Sequence, residues 1–169
     1  QVLKPVANAA NATAGTLKLA SRLAQAAGDA GAPTYSQRAI ALAKPDPNAS
    51  HMKLAEAAIA AGDWQKADRI YAGLLANGNR DNIILLNNAA NARLELGDAP
   101  GAVSLARQAV ALAPADPIVL DTLGWSLYKA QGDGPEVRKL LAQAIQAMPG
   151  NVEIRRHVTT VANATSRKS

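Results

Sequence analysis

The side chains able to do covalent or proton-transfer chemistry are few and badly placed for it. The chain of 169 residues holds two histidines, His51 and His157, separated by well over half its length. Neither belongs to an H-x-x-x-H or H-E-x-x-H pair, the spacing that sets two imidazoles on one helix face around a metal. Cysteine is absent, which excludes disulfides and thiolate metal sites and leaves the redox compartment open. Ser50, Ser104 and Ser126 fall inside or at the start of apolar-periodic segments, without the Gly-x-Ser-x-Gly elbow that exposes a nucleophile. None of the Gly-Asp pairs precedes Lys-Ser/Thr, so there is no phosphate-cradling loop, and the carboxylates are scattered over cap and solvent positions. The expectation is a chain that is not an enzyme, with no catalytic, cofactor or metal site.

What the chain does contain is a repeat. Gly-Asp pairs stand at Gly28-Asp29, Gly62-Asp63, Gly97-Asp98 and Gly132-Asp133, spaced by 34, 35 and 35 residues. Each lies between two Ala/Leu-rich amphipathic segments, and three units close near a proline, at Pro45, Pro114 and Pro149. A period of this length marks stacked supersecondary units. The most complete unit starts at Asp116, an N-cap, with Pro117 at the first helical position. Leu120, Leu123, Leu127 and Ala130 then recur on one helical face. Gly132-Asp133 ends that helix and is expected to cap the next, with Glu136 completing a capping box. The second helix runs through Val137, Leu140, Leu141, Ala144 and Ile145 to Pro149. Alanine supplies 39 residues, phenylalanine none and aromatics only 3%. The core must therefore come from close approach of many small-faced helices.

These units resemble the tetratricopeptide repeat (TPR) family. The fourth carries Leu120, Leu123-Gly124, Leu127-Tyr128, Leu141, Ala144 and Pro149 at the family's pattern positions, with one extra residue before Gly132. The third carries Leu86, Ala89-Ala90, Gly97, Ala102, Ala106, Ala109 and Pro114. The second has Leu54-Ala55, Gly62, Ala67, Tyr71 and Leu74, with Asn79 where proline is usual; the first is Leu17, Ala20, Gly28, Ala32 and Ala39. The resemblance implies an all-α, right-handed superhelical solenoid. Residues 1–14 are read as a linker or N-terminal cap and 15–165 as the repeat domain, with units at about 15–47, 48–82, 83–116 and 117–151. A cap helix at 152–165 and a disordered tail at 166–169 complete the layout. Trp64, directly after Asp63, is read first as packing over the turn and second as a ligand contact. No apolar run reaches the roughly 18–20 residues of a membrane span. The missing initiator Met and signal-peptide pattern suggest a mature or excised fragment.

In TPR proteins the first helix of each unit lines a concave groove. Carried over, the resemblance implies groove positions at Lys18 and Arg22, Met52 and Glu56, Asn87 and Asn91, Asp121 and Trp125 with Tyr128, and Arg156 on the cap helix. Gln25, Ile59, Leu94 and Thr160 extend the same faces. Asn is a poor mid-helix residue, and two side-chain amides at i, i+4 could grip an extended peptide backbone through donor and acceptor; bonding within the helix is the alternative. Trp125 and Tyr128 form an aromatic patch that packing against the cap helix would also explain. The family's carboxylate clamp is incomplete: Lys18 fits, but Arg22 replaces an Asn and the third unit has Asn87 and Asn88 without a basic partner.

The net charge of +5 and pI near 9.7 raise nucleic acid as a partner. The basic residues are spread through every unit without aromatic interleaving, which argues against it; an acidic polymer or acidic protein is as compatible. The run Val119–Lys129 is similar to bacterial TPR proteins of envelope and exopolysaccharide-export systems, which implies a periplasmic or envelope-associated location. The expected function is a protein-interaction scaffold that binds a protein or peptide. The alternative is an accessory, substrate-positioning domain of a larger enzyme such as a glycosyltransferase or protease.

Overall fold

The computed structural model describes residues 48–166, together with Arg22 and Gln37. The chain divides into two compact units, residues 1–47 and 48–169. In the first, Arg22 and Gln37 are helical and exposed. The expected segment 1–14, the first repeat with Lys18 and its turn at Gly28, and residues 167–169 lie outside the described residues.

The second unit is all helical among the described residues: α1 (Ala49–Ala60), α2 (Trp64–Ala76), α3 (Ile83–Glu95), α4 (Ala99–Leu112), α5 (Pro117–Gln131), α6 (Pro135–Ala147) and α7 (Val152–Ser166). The tight turns α1–α2 and α3–α4 are built by Gly-Asp acting in two directions. Gly62 and Gly97 take the left-handed backbone, with φ of 74° and 80°, where a Cβ would be strained. This bends the chain so that Asp63 N–H donates to the Ala58 carbonyl at 2.8 Å and Asp98 N–H to the Arg93 carbonyl at 2.9 Å, closing the helix just ended. The same aspartates then open the next helix: their carboxylates accept from Lys66 N–H and Gly101 N–H, both at 2.9 Å.

The α5–α6 turn departs from this scheme. Gly132 is itself the C-cap of α5, and the N-cap of α6 is Gly134, which offers no side-chain cap. The expected cap from Asp133 does not form, because Gly134 puts the helix start one residue further on. The Asp133 carboxylate instead pairs with Arg138 at 2.5 Å and accepts from Thr165 Oγ1 at 2.8 Å, tying the turn to the end of α7. Glu136, expected in a capping box, reaches Arg107 on α4 at 3.0 Å. α7 continues to Ser166, where the tail was expected to begin.

Each helix packs on its chain neighbours, and α5 also touches α3 and α7. Odd-numbered helices therefore form one layer and even-numbered helices the other. Alanine is what brings them together: Ala55, Ala67, Ala90, Ala102, Ala106, Ala109 and Ala144 are all fully buried. Gly124 takes this to its limit. A Cβ there would lie 3.0 Å from two atoms of Leu141, so α5 and α6 meet at a distance only glycine allows.

Candidate functional site

The odd-numbered layer presents a groove of about 270 Å³. α1 contributes Glu56 and Ile59, α3 contributes Asn88, Asn91, Leu94 and Glu95, α5 contributes Trp125, and α7 contributes Glu153, Arg156 and His157. From α2, Trp64 and Tyr71 also line it. A second hollow continues past Trp125 along Lys129, Arg156 and Thr160.

Trp125 is a fixed plate in this groove. Its indole stacks on His157 with ring centroids 4.1 Å apart and planes within 10°, and on Tyr128 at 5.3 Å and 24°. The Lys129 ammonium sits 5.9 Å from the indole centroid, within cation–π range. His157 is held in turn by Asp121, whose two carboxylate oxygens lie 2.9 and 3.0 Å from Nδ1. Both side chains are buried, at 5% and 9% exposure. The Nδ1–H therefore donates to Asp121, and Nε2 has no partner among the described residues. A buried carboxylate with one donor is costly unless that donor stays in place, so the pair locks the ring on which Trp125 rests.

On the α1 side, the Tyr71 ring is fully buried and its hydroxyl has no partner of good hydrogen-bond geometry. Burial raises its pKa above the usual range, the nearby Glu56 carboxylate adds to the rise, and the Asn88 amide draws it back slightly. Trp64 is half-buried; it packs on the α1–α2 core and lines the groove, so packing and groove lining are combined in one residue.

Of the positions expected to face the groove, Glu56, Asn91, Trp125 and Arg156 line it. Asn87 does not. It is 8% exposed with Oδ1 unpartnered, and Asn88 takes its place. The lining of α3 runs 88, 91, 94 and 95, keeping the expected Asn91 and Leu94 and replacing Asn87 by Asn88. Met52 is half-buried against the α1–α2 core, and Tyr128 packs on the α5–α6 core behind Trp125. Asp121 sits beneath the surface as the partner of His157. Arg22 belongs to the first unit. His157, Glu153, Glu95 and Tyr71 were not anticipated as groove residues; the first two lie on the cap helix.

The groove lining carries Glu56, Glu95 and Glu153 against Arg156 alone, and Arg156 lies 3.6 Å from Glu153. This lining runs against the chain's overall positive charge and gives no support to an acidic polymer as its occupant. Among the described residues no group of three His, Cys, Asp or Glu could hold a metal, and no helix is long and apolar enough to cross a membrane.

No family model matches the sequence, and no curated protein sequence matches it. Solved structures do match. The first TPR domain of human RPAP3 superposes with a TM-score of 0.61 at 20% identity, covering 70% of this chain and 91% of that one. The TPR domain of Sgt2 from Aspergillus fumigatus gives 0.65 at 20% identity, covering 75% and 83%. The fold is that of a TPR domain. A third TPR match is the first TPR of Spaghetti, bound to an HSP90 peptide, SRMEEVD, with a TM-score of 0.61, 20% identity and 69% and 91% coverage. In the TPR frame, α1, α3 and α5 are the first helices of three units and α7 the first helix of a fourth.

Proposed function

We propose that this TPR unit is a non-catalytic interaction scaffold that holds an extended peptide in the groove of its odd-numbered helices. The observation that carries the reading is the lining itself. Side-chain amides (Asn88, Asn91) able to pair with a peptide backbone stand beside an indole whose orientation is already set by His157 and Tyr128. Such a surface loses little freedom on binding, which favours affinity. That a similarly folded TPR domain has been solved with a peptide bound supports the same reading. The envelope-associated setting implied by the run Val119–Lys129 is part of the proposal.

The test is selection of binders from a random peptide library, followed by titration against Asn91→Ala and Arg156→Ala variants. Both residues are exposed, so the fold should survive their truncation. Loss of an anchoring contact should weaken binding about tenfold or more. Selected peptides that bind both variants as tightly as the parent protein would remove the groove from consideration.

A further inference from the structure

On the reading that the groove holds a peptide, its chemistry says which kind. We propose that the groove selects peptides that present a lysine or arginine side chain, its cation seated among Glu56, Glu95 and the Trp64 indole. Three observations converge on this. Among the described residues Glu56 and Glu95 make no ion pair, in contrast to Glu153, which has Arg156 beside it. Both tryptophans of the chain line the same groove, and indole is the aromatic surface that attracts a cation best. Tyr71, fully buried beside Glu56, brings a hydroxyl with no well-formed hydrogen bond to the same groove.

Carboxylates without an ion-pair partner beside a partly sheltered aromatic wall repel an acidic ligand and attract a basic one. A cation–π contact that loses water on both sides strengthens the preference. Lys129 and Arg156 share the second hollow with Glu95 and Trp125, whereas Glu56 and Trp64 line only the first. The cation of the ligand is therefore expected on the α1–α3 side, and any acidic ligand residue beside Arg156. The peptide in the Spaghetti complex, SRMEEVD, is rich in carboxylates; this groove calls for the opposite charge at its centre.

The probes are the peptides selected from the random library, resynthesised with each Lys or Arg replaced by Gln. The expected result is enrichment of Lys or Arg among binders that lose affinity with Asn91→Ala. The Lys→Gln peptide should bind about tenfold more weakly, a loss that shrinks at high salt. A Glu56→Gln, Glu95→Gln double variant should weaken the parent peptide by a similar factor, and the Lys→Gln change should then cost little more on that variant. Circular dichroism checks that the double variant keeps its helices. Groove-dependent binders that are neutral or acidic, or that ignore the double variant, overturn this inference and leave the peptide-binding reading standing. Failure to select any binder sensitive to Asn91→Ala overturns both.

Discussion

The two ends of the described unit are built differently. α5 buries eight residues, among them Leu120, Leu123 and Leu127, and meets α6 through Val137, Leu140 and Leu141. α7 is then pinned from two sides, by the Asp121–His157 pair and by Thr165 on Asp133. α1 buries only Ala55 and Ala58, leaves Leu54 52% exposed and has no side-chain N-cap. Its partner α2 contributes Ala67, Tyr71 and Leu74. The groove is thus asymmetric: the wall that carries Trp125 is set by dense packing, whereas the wall that carries Glu56 rests on alanines, one tyrosine and one leucine. A rigid plate facing a softer acidic wall suits a ligand that anchors on one side and adjusts on the other.

The sharpest way to break this contrast is through the buried pair. His157→Ala leaves the Asp121 carboxylate buried without its donor and should lower stability by about 3 kcal/mol in urea unfolding. An unchanged midpoint would mean that the pair does not hold α7. Next come two glycines, one from each end. Gly124→Leu forces a side chain into Leu141 and should cost roughly 1–3 kcal/mol by overpacking. Gly73, in α2, has nothing within 4 Å of a Cβ, so Gly73→Ala should stabilise by roughly 0.5–1 kcal/mol through helix propensity. Melting curves of the two variants should therefore shift in opposite directions; equal shifts would erase the packing difference.

The smallest effect is a pH dependence confined to the α1–α2 end. Tyr71 has its pKa raised by burial first and by Glu56 second. The folded state thus keeps its proton where the unfolded state has lost it. Stability should be unaffected below about pH 10 and fall as pH rises through the folded-state pKa. Tyr71→Phe should flatten that decline. A decline of the same size in the variant would place the sensitivity elsewhere.

Local features were the legible part of this fold. Gly62-Asp63 and Gly97-Asp98 act through bonds spanning a few residues, so their types and order were sufficient to define the turns. Asp133 misled because one inserted glycine, Gly134, moves the helix start while leaving the Gly-Asp pair intact. On α3 the groove lining keeps the expected Asn91 and Leu94 but takes Asn88 for Asn87: each residue turns a helix by about 100°, so that exchange requires the real tilt of α3 against α5. The Asp121–His157 pair joins residues 36 apart, close to one repeat. It becomes visible only when the cap helix is laid over the unit before it. Tyr71 was legible as a core residue, but its place beside Glu56 depends on how α1 and α2 cross.

That the groove is the binding surface is tested most directly by nitrogen–proton correlation spectra of the side chains as a selected peptide is added. The indole N–H signals of Trp64 and Trp125 and the amide signals of Asn88 and Asn91 should shift together and saturate at one affinity. The amides of Gln108 and Gln143, exposed on α4 and α6, should stay in place. Shifts confined to Gln108 and Gln143, with the indoles unmoved, would put the peptide on the opposite face and contradict the account.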